Sequence, residues 1–198
     1  MKVHVVRTGV ANLASVLAAL ERAGAEPVLA TEAEAIRAAD RLVLPGVGAF
    51  GAAMGELRRL GIVEALRERI GAGRPTLTVC LGLQLLAASS EESPGEAGIG
   101  VVPEAVTRFA GQVRIPQMGW NHVMPEPSAR WVRAGHAWFA NTFKLDRIPA
   151  GWTGATADHG GPFVASIERG EVLACQFHPE LSGAWGAELL GRWVAGRC

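Results

Sequence analysis

Charge in excess is the first thing these residues lack. Nineteen lysines and arginines balance nineteen aspartates and glutamates, so no net field exists to gather a polyanion, and neither nucleic acid nor a membrane surface is expected as a partner. Cysteine is scarce: residues 80, 175 and 198 are odd in number and lack metal-ligand spacing, which argues against a disulfide framework and for a reducing compartment. No apolar run approaches the roughly 18 residues that a membrane-spanning helix needs. Met1-Lys2 runs straight into a strand-like stretch rather than a leader, and a soluble cytoplasmic protein is expected. Low-complexity tracts, internal repeats and linker-like breaks are also missing. With 49% hydrophobic residues the chain can build a three-layer core, and residues 1–198 are expected to form one domain.

What is present centres on Arg74 to Leu86. Thr76-Leu77-Thr78-Val79 is a β-branched and aliphatic run entered through Pro75, as in a buried parallel strand. From Leu81 onward Leu, Gln and Ala favour helix. Cys80 therefore falls at a strand-to-helix turn, where Gly82 lets the backbone pass closely. That is the pattern of a nucleophile elbow. Free amides and the positive dipole end at a helix start favour an anionic sulfur. A buried core thiol is the competing reading of such a cysteine.

Upstream, Val3 to Val6 reads as a strand, and Asn12 as the N-cap of a helix running to about Ala23 and closed by Gly24. Pro27 to Ala30 is a second strand, Thr31 can cap a short helix over 32–39, and Arg41 to Leu44 is a third strand. This βαβαβ order implies parallel strands with right-handed crossovers. Pro45-Gly46-Val47-Gly48-Ala49-Phe50-Gly51 then precedes helical stretches over 50–60 and 62–71. It lacks a phosphate-loop ending and dinucleotide spacing, but glycines at a strand's carboxyl end can present backbone N–H groups to an oxyanion.

Downstream of the elbow, Ser89 to Gly98 is acidic and polar, and Val101 to Phe109 and Gly111 to Ile115 look extended. Residues 100–176 show short strands and turns with little helical periodicity, which suggests an antiparallel section. Val172 to Phe177 is a buried strand, and Ser182 is expected to cap a last helix over 183–195. Gln176-Phe177-His178-Pro179-Glu180 follows that strand, so His178 would share the rim of Cys80. Glu180, past a rigid proline, can hold one imidazole nitrogen while the other faces the thiol. This is the logic of a catalytic triad in cysteine form. His4, His122 and His136 lack such an acidic partner, and His159 beside Asp158 sits in a glycine-rich turn.

Cys80-Leu81-Gly82-Leu83-Gln84 together with His178-Pro179-Glu180 resembles the class I glutamine amidotransferases. Pro45 to Gly51 and Pro116-Gln117-Met118-Gly119-Trp120-Asn121 resemble, within that class, the glutaminase subunits of imidazole glycerol phosphate synthases, over essentially the whole chain. The resemblance implies an α/β fold with a doubly wound, mostly parallel sheet flanked by helices, plus the antiparallel section. It implies that Cys80 attacks the side-chain amide of L-glutamine and that His178, steered by Glu180, moves protons. Backbone N–H groups near Gly48 and Leu81 would form the oxyanion hole, and Gly46, Gln84, Glu92 and Thr142 would hold the substrate. No cofactor and no metal is implied. Ammonia is mostly ammonium in neutral water, so the family docks a cyclase subunit, a (β/α)8 barrel, over the site as a heterodimer. Asn12, Met118, Gly119, Trp120 and Asn121 match positions near that contact and the ammonia path.

The chain departs from the family pattern at three places. Residues 138–143, Trp-Phe-Ala-Asn-Thr-Phe, replace a Val/Ile-His-Ser/Thr-Tyr run, and the chain contains no tyrosine at all. Leu181 replaces a lysine, and Arg7-Thr8 replaces Asp-Tyr. Other readings of the same residues are another ammonia-supplying member of the class, a cysteine hydrolase or peptidase on a similar sheet, and a non-catalytic subunit of this fold.

Overall fold

A computed structural model describes residues 1–7 and 12–197; Thr8 and Cys198 lie outside them. The parallel half of the sheet comprises β1 (Lys2–Val6), β2 (Glu26–Ala30), β3 (Leu42–Gly46), β4 (Thr76–Cys80) and, far along the chain, β12 (Val172–Cys175). The antiparallel half comprises β7 (Gln117–Pro125), β8 (Gly135–Asn141), β10 (Thr153–Asp158) and β11 (Pro162–Arg169). They form one nine-stranded sheet in the order β2-β1-β3-β4-β12-β11-β10-β7-β8. Pairing is parallel from β2 to β12 and antiparallel from β12 to β8. A small second sheet joins β5 (Ser89–Ser90), β6 (Ala105–Arg108) and β9 (Phe143–Lys144).

Helices cover both faces because the central strands are apolar on both. Leu42 and Leu44 of β3 pack with α2 (Ala33–Ala38), α3 (Phe50–Arg59) and α4 (Val63–Gly71) through Ile36, Met54, Leu57 and Leu66. Val43 of the same strand faces α1 (Leu13–Arg22) and α6 (Gly183–Ala195) through Val16, Leu20, Leu189 and Trp193. The expected α/β architecture is therefore present.

Local differences have local causes. The helix begun at Leu81 stops after one turn, as α5 (Leu81–Gln84). The carbonyls of Leu85, Leu86, Ala87 and Ala88 accept instead from the amides of Ile99, Val102, Gly100 and Gly98, so a distant segment takes the bonds that helix continuation would have used. Residues 111–115 form bends rather than the expected strand. Neither Asn12 nor Ser182 caps its helix with a side-chain bond. Glu32, not Thr31, precedes α2.

The elbow itself is tight. Cys80 has φ 53° and ψ −109°, and among the described residues it alone has a positive φ without being glycine. Gly82 packs against β3 so closely that a Cβ would meet the Leu44 carbonyl oxygen at 2.2 Å. Gly82→Ala is expected to cost about 3 kcal/mol, the upper end of overpacking changes, read as a lower urea midpoint with an unchanged m-value.

Candidate active site

The carboxyl ends of β3, β4 and β12 open into a cavity of about 350 Å³ lined by Cys80, Leu81, Gln84, Gly48, His178 and Glu180, among others. This is where open parallel sheets place ligands. The registers Gly46 to Cys80 and Cys175 to Val79 set the glycine loop and the His178 segment on either side of the thiol. Cys80 is 7% exposed and lies at the cavity floor. Cys175 is fully buried, and desolvation, with Glu168 and Glu180 nearby, pushes its thiol well above the usual range, which leaves it inert.

His178 interacts with Cys80 and, through Nδ1, bonds Glu180 Oε1 at 2.8 Å. Burial would push the imidazole's pKa down, but the bonds and charges of Cys80 and Glu180 outweigh it, and His178 is raised to about 10. Its backbone is held as well. His178 N–H donates to the Trp138 carbonyl at 2.9 Å, while the Ser182 hydroxyl accepts from Trp138 N–H at 2.9 Å and donates to the His178 carbonyl at 2.6 Å. That use of Ser182 is why it does not cap α6. His159, the competing histidine, bonds Arg114 O at 2.8 Å and stacks edge-on to Phe109, away from the cavity.

The other expected site residues divide. Gly48, at φ 95°, sits in left-handed backbone that glycine adopts at little cost, and it lines the cavity with Leu81. Gly46 is buried at the end of β3 and is not among the lining residues. Thr142 lines the cavity and its carbonyl accepts from Phe109 N–H at 3.1 Å. Glu92 lines it too, with one carboxylate oxygen taking the Phe50 N–H at 2.7 Å. Glu92 thus satisfies one otherwise free donor at the positive dipole end of α3, while Ser93 Oγ takes the next, Gly51 N–H, at 3.0 Å. Gln84 gives its amide N–H groups to Phe143 O at 2.9 Å and Gln176 Oε1 at 3.0 Å, which leaves its own carbonyl oxygen for a ligand.

Of the partner-facing candidates, Asn12 lines the cavity and the other four lie on β7. Val47 and Leu181 line the cavity too, both exposed. Met118 and Trp120 on β7 are 67% and 55% exposed, and Trp120 stacks edge-on to Trp138 with centroids 6.0 Å apart. Gly119 and Asn121 are half-buried. Two buried polar residues had no role assigned from sequence: Gln176, fully buried, and Asn141, whose Nδ2 donates to Phe143 O at 3.0 Å. The available signal was a lone amide in an otherwise apolar run, since buried polar groups need partners.

A cysteine, histidine and glutamate so joined, on a cavity of substrate size, suit acyl transfer from an amide. The sequence model of the family described as glutamine amidotransferase class-I matches residues 9–194. The chain belongs to the class I glutamine amidotransferases. Relatives of this amidotransferase include the proteins named imidazole glycerol phosphate synthase subunit HisH of Herpetosiphon aurantiacus, 38% identical over 97% of this chain and 93% of that one. The protein of that name in Streptococcus gordonii is 39% identical over 92% and 90%, and that of Synechococcus sp. strain JA-3-3Ab is 43% identical over 92% and 88%. A solved structure described as glutamine amidotransferase shares the amidotransferase fold, with a TM-score of 0.76 at 24% identity over 98% of each chain. Among the described residues no helix is long and apolar enough to cross a membrane.

Proposed function

We propose that this chain, acting as one domain in the cytoplasm, is the glutaminase subunit of imidazole glycerol phosphate synthase. It hydrolyses L-glutamine and passes ammonia to a cyclase subunit that forms imidazole glycerol phosphate and aminoimidazole carboxamide ribotide in histidine biosynthesis. The observation that carries this reading is the near full-length likeness to proteins named as that subunit. The exposed apolar face beside the cavity supports it.

Cys80 Sγ attacks the side-chain carbonyl carbon of glutamine, and the oxygen takes the charge against backbone N–H groups near Gly48 and Leu81. As the tetrahedral species collapses, the C–N bond breaks and the His178 proton goes to the leaving nitrogen, releasing ammonia and a glutamyl thioester. Water then attacks the thioester, His178 accepts its proton, the C–S bond breaks, and glutamate leaves. Glu180 keeps the imidazole oriented through both halves. The Gln84 carbonyl oxygen, the remaining oxygen of Glu92 and Thr142 hold the substrate's polar ends.

Val47 and Leu181 bring exposed apolar surface to the cavity, and Met118 and Trp120 expose more of it on β7. Exposed Met and Trp of this kind anchor interfaces. A (β/α)8 cyclase docked there as a heterodimer would cap the cavity and keep ammonia from taking up a proton in bulk water. With Leu181 in the lysine's place, this contact is apolar where the family has an ion pair.

The test is glutamate release by the pure chain, alone and then with an imidazole glycerol phosphate synthase cyclase carrying its nucleotide ligand. Stimulation of at least about 100-fold (about 2.7 kcal/mol, the scale of one oxyanion donor coming into place) is expected. Equal activity with and without the cyclase would instead mark a free-standing hydrolase, and stimulation by the synthase of another pathway would reassign the partner.

A further inference from the structure

Gln176 and His178 stand two residues apart just past the end of β12. Both reach Cys80, while Phe177 between them enters the apolar core. His178 interacts with the sulfur, and Gln176 Nε2 lies 3.7 Å from it. The orientation of the Gln176 amide follows from its neighbours. Phe143 O is a backbone carbonyl and can only accept, so Gln84 must face it with Nε2. The same Nε2 lies 3.0 Å from the Gln176 side chain, which must answer with its oxygen. Gln176 is left to present its N–H group to Cys80 Sγ.

We propose that Gln176 is a catalytic residue: a second N–H donor, beside His178, that holds the Cys80 sulfur as an anion, with its direction locked by Gln84 and Phe143 O. A neutral thiol is a weak acceptor, and a fully buried amide spending its donor on one would be poorly satisfied. A thiolate makes the same contact a charge-assisted bond. The donor also assists the second half of the reaction, where the C–S bond breaks and its electron pair returns to sulfur. This assignment rests on Cys80 being the nucleophile.

The experiment is alkylation of Cys80 by iodoacetamide in the isolated chain, followed at the Cys80 peptide by mass spectrometry, with neither glutamine nor a partner present. Gln176→Met keeps length and removes the donor; at pH 7 it is expected to react about tenfold more slowly than wild type, the scale of a lost bond to a charged group. Gln176→Glu sets a carboxylate against the sulfur and should react about 100-fold more slowly at pH 8. Its rate relative to wild type should recover at least about tenfold by pH 5, where the carboxyl regains a proton to donate. A purely space-filling role would not produce that pH-dependent ratio. A wild-type rate in Gln176→Met, or a flat ratio in Gln176→Glu, overturns the assignment, and should Gln176→Met not fold, the second ratio decides alone. Wild-type chain alkylated at Cys80 that still released glutamate would overturn the nucleophile itself, a separate outcome.

Discussion

Cys80→Ala is expected to lower glutamine-dependent synthesis by at least ~10⁴-fold, the scale set by removing one member of a triad. Ammonia-dependent synthesis by the partner cyclase should stay within about twofold of wild type. The two results belong together because Cys80 makes the bond that releases nitrogen from glutamine, whereas the cyclase needs only free ammonia. Alanine fills most of the space of a 7%-exposed side chain at a strand end, and His178 keeps its bond to Glu180 when the sulfur is removed. The measurement is product formation by the reconstituted pair with glutamine or with an ammonium salt at high pH. Loss of both activities would mean that the change had disturbed docking, and survival of the first would remove Cys80 from the chemistry.

Glu180→Gln should cost ~10²–10⁴-fold in kcat with little change in KM. Glu180 is nearly fully buried, and its Oε1 accepts from His178 Nδ1 at 2.8 Å. Glutamine can keep that contact only through its oxygen and brings no charge to stabilise the imidazolium. The change has a second readout in stability. His178 is raised to about 10 in the folded chain, against about 6.5 when unfolded. A raised histidine adds stability that is complete below the unfolded value and is lost as pH climbs through the folded one. In wild type the loss therefore falls between about pH 6.5 and 10. Removing the Glu180 charge lowers the upper end of that window, so the thermal midpoint of Glu180→Gln should start to fall near pH 6.5 as in wild type but level off at a lower pH, with a smaller total loss. Identical midpoint profiles would mean that Glu180 does not support the histidine's charge.

The elbow was legible because its signals are local: an apolar run ends at Cys80, and a glycine stands two residues later. His178 and Glu180 were legible because proline fixes their spacing at a strand's end. What escaped is decided by distant chain. Nothing between Leu81 and Ala88 says that α5 ends after one turn, because the competing donors are the amides of residues 98–102. Residues 111–115 carry an extended pattern, yet β7 enters the sheet only at Gln117. Ser182 has the composition of a cap, but its hydroxyl is drawn to Trp138 and His178. Gln176 stood in plain view without a role because one amide in an apolar run has no spacing to read; only Gln84, Phe143 O and the sulfur around it give it meaning.

The β7–β8 hairpin has two owners. One face carries Met118 and Trp120, with Trp138 propping the Trp120 ring. The backbone of that same Trp138 holds His178 and Ser182 in place. Under selection or redesign, the surface that would choose a companion and the strand that seats the base cannot drift apart. A lineage that recruited this scaffold to a different acceptor would have to re-seat its histidine while remaking its outer wall, and grafting the outer residues alone onto a relative would carry a cost in turnover.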